Sequence, residues 1–148
     1  MINNPITKLE QLTLTSASKS FLKETAKWAK FLAIIGFILI ALMLVFSAFS
    51  STIFNMVAKM QPGIPKSLGL SLAITYLVLS IIYFFPVYYL LQFSSKMKKA
   101  LATKNDETLA SAFKMLKSHY KFIGVFSIIT LSLYAMLILV SMLSGSLL

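Results

Sequence analysis

From Ser67 to Ser95 the chain carries no charged side chain for 29 residues, and then it meets Lys96, Lys98 and Lys99. About 20 apolar residues suffice to cross the hydrocarbon core of a bilayer, so this stretch predicts a membrane span with length to spare. Hydrocarbon offers no partner for backbone N–H and C=O groups, and a lone crossing segment can satisfy them only as a helix. At the centre stands Tyr83-Phe84-Phe85-Pro86-Val87-Tyr88-Tyr89. Pro86 has no N–H to offer the carbonyl of Ile82, so a helix kink is expected there.

Two further charge-free runs flank this one, Phe31 to Ala58 and Phe122 to Leu148. The expected fold is therefore an all-α integral membrane domain over 1–148 with three transmembrane helices, at about 31–56, 67–95 and 122–147. Between the first two, Lys59-Met60-Gln61-Pro62-Gly63-Ile64-Pro65-Lys66 brackets a glycine with prolines, so neither helix continues through it. The short connection makes these spans antiparallel neighbours. A cleavable signal peptide is the rival reading of the first run. The 30 residues before it and its own length point instead to an uncleaved signal-anchor.

Outside the spans the chain is basic. Residues 1–16 read as a flexible lead-in, and 17–30 as an amphipathic helix. Lys19, Lys23, Lys27 and Lys30 recur at helical spacing on one face, with Phe21, Leu22, Thr25, Trp28, Ala29 and Leu32 opposite. Trp28 is placed at the water–membrane boundary. The second span should extend as a helix to about Ala102, and Thr103-Lys104-Asn105-Asp106 should turn the chain back. Asn105 or Asp106 can cap the next helix, with Asp106 and Glu107 against its positive end. That helix carries Leu109, Phe113, Leu116 and Tyr120 on one stripe and Lys114, Lys117 and Lys121 on another, and nothing breaks it before the third span. Residues 96–121 thus form a basic helical hairpin extending spans two and three. Lys30-Phe31-Leu32-Ala33 and Lys121-Phe122-Ile123-Gly124 echo one another, either as a repeat or because both open a span at the same interface.

With the N-terminus inside, twelve lysines fall on the cytoplasmic side and two, Lys59 and Lys66, outside. The positive-inside rule then sets a cytoplasmic N-terminus and, after three spans, a periplasmic C-terminus. The net charge of +10 comes from lysine alone, with no arginine. Base-edge readout and bidentate phosphate clamps lean on arginine, which argues against nucleic acid as a partner. Anionic headgroups explain the lysines better. The residues expected at the membrane surface are Lys19, Lys23, Lys27, Lys30, Trp28, Lys96, Lys98, Lys99, Lys114, Lys117 and Lys121.

No ionisable side chain interrupts any span, whereas proton relays and ion-coupled carriers depend on such groups. The single histidine, His119, sits among lysines and is expected to be exposed at the interface, without the partners that catalysis or metal binding needs. No cysteine is present, and no nucleophile–base pair, phosphate loop or metal-ligand spacing appears. A non-enzyme without cofactor or metal is the expectation. The aromatic cluster around Pro86, with Tyr76, Tyr83, Tyr88, Tyr89 and Tyr134, reads as packing and an interfacial belt rather than a ligand pocket. Small residues four apart (Ser47/Ser51, Gly69/Ala73, Ser141/Gly145) allow close helix contact.

Phe21-Leu22-Lys23-Glu24-Thr25-Ala26-Lys27-Trp28-Ala29-Lys30-Phe31, with Tyr83-Phe84-Phe85-Pro86 and Phe93-Ser94-Ser95-Lys96-Met97, resembles an uncharacterised family of small bacterial inner-membrane proteins, a domain of unknown function. The likeness spans roughly Ser18 to Val140. It implies a bacterial inner-membrane setting and carries over no activity and no site residue. The expected function is a non-catalytic accessory or scaffolding subunit of an inner-membrane complex, binding other integral membrane subunits or itself. The alternatives are a homo-oligomeric small-solute pore or carrier, for which only Ser71, Thr75, Ser127 and Thr130 could supply a polar stripe, and a lipid-responsive surface protein.

Overall fold

A computed structural model describes residues 14–61, 63, 65 and 67–145. Most of the expected lead-in, with Lys8, and also Pro62, Ile64, Lys66 and the last three residues lie outside the described residues. Three helices make up the fold: α1 (Ser16–Met60), α2 (Leu68–Thr103) and α3 (Asp106–Gly145). The protein is all-α, and each helix is long and apolar enough to cross a membrane.

Thr15 starts α1 as its N-cap, its Oγ1 accepting from the Ser18 N–H at 3.1 Å. The basic segment and the first charge-free run then form one helix, because no proline and a single glycine, Gly36, fall between Ser16 and Met60. At 1.5 Å per residue α1 is about 68 Å long, roughly twice the thickness of a hydrocarbon core. Its lysine-bearing turns therefore stand beyond the core.

α2 ends where Lys104 enters the left-handed region at φ 52°. The amide N–H groups of Lys104 and Asn105 both bond the Ala100 carbonyl, closing the last turn. Asn105 Oδ1 accepts from the Thr108 N–H at 2.7 Å, which makes Asn105 the cap of α3 and leaves Asp106 and Glu107 in its first turn. Two residues thus reverse the chain.

Both outer helices pack on α2, and among the described residues α1 and α3 do not meet. The helices form an open row with α2 in the middle. Both pairs are antiparallel, as Ser94 against Ala26 and Lys96 against Ser111 show at one end, and Ser47 against Ala73 towards the other. Lys19 to Lys30, Lys96 to Lys104 and Lys114 to Lys121 therefore share one end of the row, and Lys59 sits at the opposite end.

The two ends are held by different physics. At the lysine-rich end Phe93 and Met97 are completely covered, packed with Ala26, Ala29 and Ala112 and ringed by Leu22, Leu101, Leu109 and Leu116. This small core straddles the edge of the second charge-free run, which ends at Ser95, and beyond that edge water can drive burial. Within the charge-free runs lipid is as apolar as leucine, so helices gain by close approach and by hydrogen bonds instead. There Gly36 faces Val87, Ser47 Oγ donates to the Ala73 carbonyl at 2.7 Å, and Ser50 Oγ to the Gly69 carbonyl at 3.1 Å. Two of the three small-residue pairs seen in the sequence thus meet each other, while Ser141 of the third is exposed.

The face that α1 turns to α2 differs from the apolar face expected for 17–30. Leu22, Ala26, Ala29 and Ala33 pack inward, whereas Phe21 (68% exposed), Trp28 (58%) and Leu32 (54%) point outward. Small side chains permit the closer backbone approach; Trp28 and Leu32 stand where the charge-free run begins and lose little by facing the lipid boundary, whereas no described residue covers Phe21 further out.

Candidate functional site

On α1, Ser20, Lys23, Lys27 and Phe31 succeed one another at steps of three and four, one stripe of the helix surface beside the stripe that packs on α2. From α2, Lys98, Leu101 and Ala102 come up alongside. Together with Glu24 and Trp28 these residues line an open groove of about 980 Å³ between the two helices at the lysine-rich end. Directly beneath it Ser94 Oγ donates to the Ala26 carbonyl at 2.5 Å, and Phe93 and Met97 pack on Ala26 and Ala29. The helix spacing that sets the groove is thereby fixed by buried contacts.

Electrostatically the groove gathers three ammonium groups against one carboxylate, Glu24. None of these charges has an ion-pair partner among the described residues. Trp28 and Phe31 meet edge to face with ring centroids 5.8 Å apart, giving the groove an aromatic side. Phe31 is the first residue of the charge-free run, so the groove passes from a cationic part to an aromatic edge within one turn.

The structure therefore brings together Lys23, Lys27, Lys98 and Trp28 of the residues expected at the membrane surface. Lys19, Lys30, Lys99, Lys114, Lys117 and Lys121 are exposed elsewhere at the same end. Lys96 is half-buried and donates to Ser111 Oγ at 2.8 Å, tying α2 to α3. No sequence signal links Lys98 to Lys23 and Lys27, because their meeting depends on the α1–α2 register.

A second cavity, about 550 Å³ and lined mainly by apolar side chains, lies between α2 and α3 beside Pro86, His119, Tyr83 and Tyr134. His119 is half-buried rather than exposed as expected: the hairpin register lays it against the neighbouring helix, where its Nδ1 lies 2.8 Å from the Pro86 carbonyl oxygen. A carbonyl can only accept, so Nδ1 carries the proton. α2 runs through Pro86 without a break, with Pro86 itself buried. The aromatic cluster largely packs on itself: Phe85 with Phe122, Tyr83 with Phe126, Phe84 with Tyr88, and Phe46 with Tyr76 at 4.8 Å. Tyr88 takes a hydrogen bond from Gln92 Nε2 at 3.1 Å.

Among the described residues no group of three or more His, Cys, Asp or Glu side chains could hold a metal ion. Comparison with family models, with curated proteins and with solved structures finds no match to this chain.

Proposed function

We propose that this chain is a non-catalytic accessory or scaffolding subunit of a bacterial inner-membrane assembly of the respiratory, secretion or energy-transducing kind. The observation that carries the proposal is the open row. Among the described residues α1 and α3 do not meet, and every residue of α3 from Leu131 to Met142 is exposed, so the row leaves its clefts open at the side and closes no central chamber. What the row offers is lateral apolar surface for other membrane subunits. The bacterial setting is what the resemblance carried by 21–31, 83–86 and 93–97 implies. The lysine distribution supports a cytoplasmic lysine-rich end, engaged with anionic headgroups, and a periplasmic C-terminus.

A pore built from several copies needs a polar stripe. Ser71, Thr75 and Thr130 instead donate to carbonyls one turn back on their own helices, at 3.0, 2.8 and 2.9 Å. Purification of the tagged chain from native membranes in a mild detergent, with mass spectrometry and particle mass, tests the proposal. Foreign membrane subunits at fixed stoichiometry are the expected result. A particle holding only copies of this chain would overturn it and favour the homo-oligomeric pore or carrier.

A further inference from the structure

We propose that the groove between α1 and α2 is a discrete site for one anionic phospholipid, its phosphate held among Lys23, Lys27 and Lys98 and an acyl chain laid along Trp28 and Phe31. The inference rests on the membrane setting proposed above and not on the accessory role.

Three features select this occupant. The first is charge. Lys23 and Lys27 lie one turn apart on α1, and Lys98 is brought beside them from α2. Gathering three like charges in one groove with a single carboxylate is unfavourable unless an anion joins them. Lysine ammonium groups serve phosphate well as point charges, without the fork that arginine supplies.

The second is preorganisation. The buried Ser94–Ala26 hydrogen bond and the Phe93–Met97 core hold the two helices at this spacing before any ligand arrives. Little ordering is left to be done on binding.

The third is the polarity gradient. Free phosphate would use the lysines alone, leaving the aromatic edge without a role. A lipid uses both, since Phe31 opens the charge-free run where acyl chains begin and Trp28 suits the headgroup level. At about 980 Å³ the groove accommodates a headgroup and the first part of a chain. Diffuse attraction to the leaflet, by contrast, would draw on every lysine at this end, including Lys114, Lys117 and Lys121 of α3.

Native mass spectrometry of the detergent-purified full chain, with phosphatidylglycerol or phosphatidylcholine added back, separates these cases. One phosphatidylglycerol per chain should be retained at concentrations where phosphatidylcholine is not. The triple variant Lys23→Gln/Lys27→Gln/Lys98→Gln should lose at least about tenfold in occupancy, with each lysine near an anionic headgroup contributing. The matched triple variant Lys114→Gln/Lys117→Gln/Lys121→Gln removes equal charge and should change occupancy by less than about twofold, and Trp28→Ala should weaken retention severalfold. Circular dichroism establishes that each variant is folded, and the single variant Lys98→Gln, expected to weaken retention in the same sense, serves if the triple is not. Equal losses in the two triple variants, or unchanged retention in the groove variant, would overturn the site. Displacement of the lipid by inorganic phosphate or glycerol phosphate at matched concentration would show that free phosphate is the ligand and overturn the lipid assignment. All these outcomes are read on the purified chain, so they stand apart from whether foreign subunits accompany it in native membranes.

Discussion

Replacing Phe93 with alanine is expected to lower the unfolding free energy of the chain in micelles by about 3–4 kcal/mol, the range for emptying a well-packed aromatic site. Phe93 is 1% exposed and belongs to a cluster that draws on all three helices, with Ala26 and Ala29 on one side and Ala112 on the other. The alanines cannot reach into the vacated volume, and Met97 with the surrounding leucines can relax towards it only in part, so most of the cavity cost remains. Phe113, 44% exposed on the same end of α3, is the control. Phe113→Ala should cost less than about 1 kcal/mol. Denaturation followed by circular dichroism compares the two. A Phe93 variant as stable as the Phe113 variant would mean that the lysine-rich end has no packed core.

The second large effect is expected at Gly69. A Cβ added there would stand 2.9 Å from the Cα of Ser51 and 3.1 Å from the carbonyl oxygen of Ser50. Both opposing atoms are backbone, so α1 and α2 must separate, and the Ser50–Gly69 hydrogen bond at 3.1 Å would stretch with them. Gly69→Ala should cost about 2 kcal/mol and Gly69→Leu more, as overpacking does. Gly36 is a milder case, because its added Cβ would meet the methyls of Val87 at 2.7 and 2.9 Å. That conflict can be relieved by Val87→Ala, whereas no side-chain truncation relieves Gly69. Gly124 has nothing within 4 Å of its added Cβ, so Gly124→Ala should be neutral or stabilise by up to about 1 kcal/mol through helix propensity. If Gly69→Ala and Gly124→Ala proved equally tolerated, α1 and α2 would not be in contact at this point.

These sites mark where sequence reading works and where it stops. The extents of the helices were legible because charge-free runs have sharp edges and breakers are few: α2 was expected to end near Ala102 and ends at Thr103. A cap at Asn105 or Asp106 and the hairpin beyond the second span follow from equally local chemistry, and it is Asn105 that caps. Which face of a span meets protein is harder to read. In water, apolar periodicity points to the core, but at a membrane boundary a large apolar side chain such as Trp28 can face outward at little cost, so Phe21 and Trp28 could be taken for an inward face when they point out. The usable signal was residue size. The spacing of Ser47/Ser51 and Gly69/Ala73 was seen in the sequence, and the run Ala26, Ala29, Ala33 and Gly36 carries the same message one third of the way along α1. Contacts such as His119 with Pro86, or Lys98 with Lys23 and Lys27, depend on register between helices, which no local pattern encodes.

Everything proposed for this chain depends on its crossing the membrane three times with the lysine-rich end in the cytoplasm. The chain has no cysteine, so single cysteines can be introduced without background. Ser16, Met60 and Thr103 are exposed helix-end positions, Met60 at 85%. With a membrane-impermeant maleimide on intact spheroplasts, Met60→Cys should label at once, and Ser16→Cys and Thr103→Cys only after permeabilisation. Labelling of Met60→Cys and Thr103→Cys together on intact cells, or of Thr103→Cys alone, would contradict the account.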